Sequence, residues 1–271
     1  LFYISTKICS IKTKIIIQVE DLPFARKANA GLKGFLDYLS FQLLFRKASH
    51  IFFASEGMMN KAKTLYYFSC PKSLYPPTLS EDYLKFIKKR KEPFSSETIK
   101  VMYAGAFKKE KGVFDLIEAF ENANLENFQL NLFGNCNYLD IKKYFGNKSI
   151  KFMGLVGYEN LYRAYSNSDI IVNPHLKIIN NEYIFPCKNI EILASGALPL
   201  INKYALTSFP KVNLPDNCIY KTNDDFINLL KDSKDLWINN RNQIKSLAFE
   251  IRSKYCMNVI KNNFAKAFEN C

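Results

Sequence analysis

Residues 185–199, "FPCKNIEILASGALP", set a short apolar run between two breakers, and the rest of the chain is read outward from them. Pro186 precedes a helical pattern running from Lys188 to about Ser195, and Gly196 marks its end, the usual placing of proline before and glycine after a helix. The apolar "LPLIN" at 198–202 then reads as a buried strand. Lys188 and Glu191 fall three residues apart on one face of that helix. They form either an exposed ion pair, worth about 0.3 kcal/mol, or a binding pair. In the second reading, a helix N-terminus at the mouth of a sheet offers Lys188 to an anion and Glu191 to a ribose diol. Spacing alone does not choose between them.

The same alternation extends in both directions. Strand-like segments at 99–105, 128–134, 149–154, 169–174, 198–202 and 218–222 are separated by helical patterns. In one of these, Val113, Leu116, Ile117 and Phe120 share a face at the helical period. Strands alternating with helices predict an α/β fold with a doubly wound parallel sheet, which binds ligands beyond the carboxyl ends of its strands. Gly105, Gly134 with Asn135, Gly154 and Gly157 stand at such ends, where glycine lets a ligand approach the backbone and is also a common turn residue. Lys111-Gly112 opens the helix after the strand at 99–105, so amides and a lysine can cradle a phosphate there, though a surface lysine fits the same spacing. The run matches neither G-x-G-x-x-G nor a Walker loop, which argues against dinucleotide and ATP sites. Upstream, "KIIIQVED", a helix over 32–47, "HIFFAS" and "LYYFSCP" continue the strand and helix order. Pro71, Pro76, Pro77 and the charged "KKRKEP" interrupt it, which places a domain boundary near residue 96 and domains at 1–95 and 96–271.

With 271 residues, 48% of them hydrophobic, the chain can build packed cores for one large or two ordinary domains. Seven scattered cysteines without a C-x-x-C, and two distant histidines, His50 and His175, argue against a zinc site or a disulfide framework. No apolar run is long enough to span a membrane and lysines interrupt the N-terminal stretch, so a cytoplasmic protein is expected. The chain opens on Leu1 in strand-like sequence, from which we expect residues upstream and an incomplete first domain. The net charge of +13 suits an anionic partner, whether nucleic acid, a nucleotide diphosphate or an acidic membrane, and equally a lysine-rich solvated surface. No RRM, KH or helix-turn-helix signature accompanies the charge, so nucleic acid is not the expected partner.

The motifs occur in a telling order: G-x-x-x-x-x-K-G from Gly105 to Gly112, "LNLFG", "IKFMG", "LYRAYSNSDIIVNP" and "FPCKNIEILASGALPLI". Over roughly residues 99–203 this resembles the donor-binding domain of retaining GT-B glycosyltransferases of the family 4 type, in a branch of bacterial surface-polysaccharide enzymes. The stretch from "IIIQVED" to "ASEGM" is similar to the end of that family's N-terminal domain. The resemblance implies two Rossmann-like domains, the second binding a nucleotide-diphosphate sugar. Lys111 would hold the diphosphate, Glu191 the ribose, and Lys188 would line the pocket near the phosphates or the sugar. Lys111 and Glu191 would carry catalysis, with Gly105, Gly134 and Asn135 at the donor. Two positions depart from the pattern. Ala106 stands where many relatives carry arginine, leaving Lys108 or Lys109 to replace it, and Tyr183 stands where E-x7-E needs a glutamate, with Glu182 one residue out of register.

The reaction so implied expels a nucleoside diphosphate, and lysines with helix amides stabilise the growing charge by about 3 kcal/mol per contact. The chain has no D-x-D, and Asp224-Asp225 reads as a helix start, so transfer without a metal or a further cofactor is expected. The resemblance implies a saccharide or lipid-linked saccharide acceptor in capsule, O-antigen or lipopolysaccharide synthesis. Basic residues within 84–91, "LKFIKKRK", are candidates for peripheral contact with the inner membrane leaflet or for a solvated helix. The competing readings are a GT-B-like sugar-nucleotide epimerase, a non-catalytic basic binding module, and an inactive donor-binding fragment.

Overall fold

The computed structural model describes residues 14–20, 22, 31–177 and 185–269. The described residues fall into two compact units, those within 14–77 with 185 and 258–269, and those within 78–177 with 186–257. In the first unit β1 (Ile16–Val19), β2 (His50–Phe53) and β3 (Lys72–Leu74) form a parallel sheet in that order. All four residues of β2 are buried, as a central parallel strand covered on both faces requires. α1 (Leu32–Lys47) and α2 (Glu56–Leu65) alternate with these strands. Phe45 of α1 anchors the aromatic core, with ring centroids 6.2 Å from Phe53, 5.1 Å from Tyr66 and 5.3 Å from Phe68. The opposite face of α1 is also apolar: Leu32, Leu36, Leu39 and Leu43 all point outward, Leu32 being 75% and Leu43 63% exposed.

The strand expected within "LYYFSCP" begins later, beyond Pro71. Tyr66 and Phe68 are committed to packing on Phe45, and pairing starts where the Pro71 carbonyl accepts the Ile51 amide at 3.1 Å. Proline can open a strand in this way because its missing N–H lies outside the ladder.

The second unit contains α3 (Glu81–Lys88), β4 (Ile99–Ala104), α4 (Val113–Ala123), β5 (Phe128–Phe133), α5 (Tyr138–Ile141), β6 (Ile150–Gly154) and α6 (Tyr158–Asn167). It continues through β7 (Ile170–Asn173), α7 (Cys187–Ser195), β8 (Leu198–Asn202), β9 (Ile219–Tyr220), α8 (Asn223–Lys231) and α9 (Ser233–Lys254). Its six strands are all parallel, in the order β6-β5-β4-β7-β8-β9. The chain therefore runs outward from β4 to β6 and returns to β7 beside β4. That reversal opens a crevice at the carboxyl ends of β4 and β7. Val113, Leu116, Ile117 and Phe120 are all buried along α4, each burial contributing about 1.5–3 kcal/mol.

The division expected near residue 96 moves to Pro77/Thr78. Tyr83 and Ile87 of α3 are buried, and the Tyr83 hydroxyl donates to the Glu191 carbonyl at 2.5 Å. The "KKRKEP" run is likewise built into the second unit. Arg90 donates to the carbonyls of Tyr165 (2.7 Å) and Ser168, while the Asp169 carboxylate accepts the amides of Phe94 and Lys100, both at 2.7 Å. A buried guanidinium must be hydrogen-bonded, so a run that reads as a charged linker folds inward at one residue.

Candidate functional site

The crevice is built from backbone first. Gly105, just beyond β4, donates its amide to the Phe133 carbonyl at 2.8 Å, and Gly134, just beyond β5, donates to Gly154 at 2.9 Å. Gly134 has φ 143°, and a Cβ there would run into the Gly105 carbonyl, so the two strand ends approach as closely as bare backbone allows. Gly105, Gly134, Asn135 and Gly154 line one side of a cavity of about 310 Å³. Tyr165 of α6 with Lys188 and Glu191 of α7 line it as well. Gly157 starts α6 and lies outside this lining.

α7 presents its two charged residues because both of its ends are held. The Asn189 amide donates to the Pro186 carbonyl at 2.9 Å, and Arg252 of α9 donates to the last-turn carbonyls of Ala194 (2.7 Å) and Ser195 (3.3 Å). Beneath the helix the buried Asn189 accepts from Asn173 and donates to the Ala205 carbonyl, both at 2.7 Å. Lys188 and Glu191 are therefore not an exposed ion pair. The Lys188 Nζ donates to the Ala104 carbonyl at the end of β4 and lies 5.6 Å from the centroid of the Tyr103 ring. Burial lowers its pKa to about 8; Glu191 opposes the shift and Lys111 reinforces it. The Glu191 Oε2 accepts the Tyr165 hydroxyl at 3.0 Å. Burial raises the Glu191 pKa against the opposing pull of Tyr165 and Lys188, while burial and Glu191 keep the Tyr165 phenol protonated as donor.

Lys111 does not line this cavity but sits beside it. It closes a short 3-10 turn, Lys109–Lys111, ahead of Gly112, whose φ of 67° sets its Cα against the Pro174 carbonyl at the end of β7. The Lys111 Nζ lies 3.1 Å from His175 Nε2, and His175 Nδ1 lies 2.9 Å from the Leu176 carbonyl. A neutral imidazole donating from Nδ1 to Leu176 and accepting the lysine at Nε2 satisfies both contacts. Burial, with Lys111 and Lys188 nearby, lowers the His175 pKa and favours that neutral form; burial also lowers Lys111. Lys108 and Lys109 are exposed, whereas Glu182 and Tyr183 lie outside the described residues.

The geometry thus joins Lys188, Glu191, Gly105, Gly134 and Asn135 in one cavity, with Lys111 adjacent. Sequence reading missed Tyr165 and His175. His175 follows Pro174 directly beyond a strand, a place where binding residues cluster; Tyr165 carried no local signal. Among the described residues no three His, Cys, Asp or Glu side chains could jointly hold a metal ion, and Asp225 accepts the Lys221 and Thr222 amides (3.0 Å each) as the partner of the Thr222 N-cap in the capping box of α8.

A lysine-bearing helix start and a carboxylate thus face glycine-rich strand ends across one cavity. The model of the glycosyl transferases group 1 family matches residues 85–243, more than half of the chain. The chain belongs to that family. Solved glycosyltransferases share its fold. Sucrose-phosphate synthase from Thermosynechococcus elongatus is similar at TM-score 0.68 and 14% identity, over 99% of this chain and 70% of that one. Anabaena Alr3699/HepE in complex with UDP and glucose is similar at 0.67 and 12%, over 99% and 74%. A glycosyltransferase from Rickettsia africae is similar at 0.67 and 13%, over 99% and 79%. At such identities the likeness establishes the GT-B fold of this group 1 glycosyltransferase, two Rossmann-like parallel α/β units, and no more. No curated protein sequence matches the chain.

Proposed function

We propose that this group 1 glycosyltransferase moves a hexosyl group from a nucleotide-diphosphate sugar to a saccharide or lipid-linked saccharide, with retention of configuration and without a metal. Bacterial polysaccharide synthesis is the proposed setting, at the cytoplasmic face of the inner membrane. The observation that carries the reading is the cavity at the β4–β7 reversal, where Lys188 and Glu191 project from one helix start toward glycine backbone, with Lys111 alongside. The binding of UDP and glucose by Anabaena Alr3699/HepE supports a donor of this class.

In the proposed mechanism the donor diphosphate lies against the first amides of α7 and the Lys188 ammonium, exchanging the Ala104 carbonyl for phosphate oxygens. Lys111, held by His175, adds a second positive charge. As the bond between the sugar and the diphosphate breaks, negative charge grows on the leaving oxygens. The two lysines are already in place and need no reorganisation to meet it. Glu191, oriented by Tyr165, accepts the ribose hydroxyls and fixes the nucleotide, so that the anomeric carbon is delivered in one place. Peripheral membrane contact would use the exposed lysines of "LKFIKKRK" without Arg90, which is turned inward. Among the described residues no helix is long and apolar enough to cross a membrane.

Calorimetric titration of UDP, GDP, ADP and CMP tests the reading. One diphosphate should bind in the micromolar range, unaffected by EDTA, and Lys111→Ala and Glu191→Ala should each weaken it. A folded chain that binds none of the four, or whose binding ignores both substitutions, would overturn it.

A further inference from the structure

A second cavity, of about 300 Å³, lies at the opposite end of the same sheet. Arg90, Lys91, Lys100, Ser95, Asn167 and Asp169 are among its lining residues. Lys100 lines this cavity near the amino end of β4, where Asp169 immediately precedes β7, and Ala104 lines the donor site at the other end of β4, four residues or about 13 Å away along the strand.

Its polar groups are unevenly matched. Both Asp169 oxygens already accept backbone amides, and Glu92 on the rim is paired with Lys245 at 2.9 Å. Ser96, Ser166 and Ser168 spend their hydroxyl hydrogens on the carbonyls of Thr98, Arg163 and Ala164. The donors, in contrast, are in surplus. Arg90 uses its two terminal nitrogens on Tyr165 and Ser168, but its Nε is buried with no acceptor. Among the described residues no acid is paired with Lys91 or Lys100, and the side chains of Ser95 and Asn167 make no hydrogen bond. The Nε is closed off from the recess, so Arg90 offers a ligand there its positive charge and the remaining hydrogens of its two terminal nitrogens, and an oxyanion is the group that uses both. Three cations, an amide and a hydroxyl around one recess match a group with several strong acceptor oxygens.

We infer that this cavity binds a small soluble phosphomonoester, its phosphate held by Arg90, Lys91 and Lys100. The volume, at the lower end of ligand pockets, fits a phosphate on a short carbon skeleton and excludes a nucleotide sugar. Arg90 also ties this site to the donor cavity. It grips the Tyr165 carbonyl, and the Tyr165 hydroxyl holds Glu191.

The experiment is calorimetry on the full chain, with and without saturating UDP, using glycerol 3-phosphate, inorganic phosphate and glycerol as probes. Glycerol 3-phosphate is expected to bind at one site in both conditions, inorganic phosphate more weakly, and glycerol not at all. Lys91→Ala with Lys100→Ala should weaken that binding about tenfold or more, and Ser95→Glu, at an exposed rim position, should abolish it by charge repulsion. Lys111→Ala, which acts at the donor site, should leave it unchanged. Thermal melts matching the parent show that the variants are folded, and Ser95→Glu serves if the double variant is not. Absence of saturable binding, binding abolished by UDP or by Lys111→Ala, or binding that survives both cavity variants would each overturn the inference.

Discussion

Lys188 is the residue whose protonation sets a measurable property. Its pKa of about 8 lies below the ordinary lysine value because the ammonium is buried, and a bound diphosphate favours the charged form and raises it again. The sign follows by linkage. Affinity for a nucleoside diphosphate is full below about pH 8, falls as pH rises through that value, and approaches a loss of about tenfold per pH unit. A titration series from pH 7.5 to 9.5 should show the fall, and Lys188→Arg, which stays charged throughout, should remove most of it. Glu191 answers a different question. Glu191→Gln should weaken UDP by about 1.5–3 kcal/mol, as expected for charge-assisted bonds to a diol, and should leave pyrophosphate almost untouched. Equal losses for both ligands would place Glu191 at the phosphates instead.

Among the elements, α1 and α7 separate what periodicity reveals from what it hides. Apolar residues recur around most of α1, so the pattern predicts a helix without saying which side is core. The structure buries Phe45 and turns Leu43 outward. Phe45→Ala should therefore cost about 3–5 kcal/mol, while Leu43→Ser should stay within about 0.5 kcal/mol in urea unfolding. In α7 the decisive residue is Asn189, fully buried between Asn173 and the Ala205 carbonyl. Asn189→Ala strands two buried polar partners and should cost about 2–4 kcal/mol, with a loss of UDP affinity because the helix carrying Lys188 and Glu191 rests on it. Unchanged stability would mean that water replaces the amide there.

At the scale of the whole molecule, the net charge of +13 acts on encounter more than on fold. Raising ionic strength from about 0.05 to 0.5 M should slow UDP association several-fold and change dissociation far less, as stopped-flow kinetics would show. A salt effect confined to dissociation would locate the charge dependence in the bound contacts alone. The charged run at 88–92 is the exception to a solvated surface: Arg90 turns inward to the Tyr165 and Ser168 carbonyls, and so binds α3 into the second unit.

The sequence by itself determined the alternation of strands and helices, the parallel sheet, the helix from Lys188 to about Ser195 and the candidates Lys111, Lys188 and Glu191. The elements depend on hydrophobic period and on breakers such as Pro186 and Gly196, which act within a few residues, and the candidates on their place at strand ends and on the family resemblance. Only the tertiary structure decided what those residues touch. Lys188 reaches Ala104, 84 residues back, Glu191 reaches Tyr165, 26 residues back, and Lys111 reaches His175, 64 residues ahead. The start of β3 beyond Pro71, the inward turn of Arg90 and the exposed side of α1 are of the same kind. Each is settled by packing partners distant in sequence, and a local pattern carries no record of which distant group a side chain will meet.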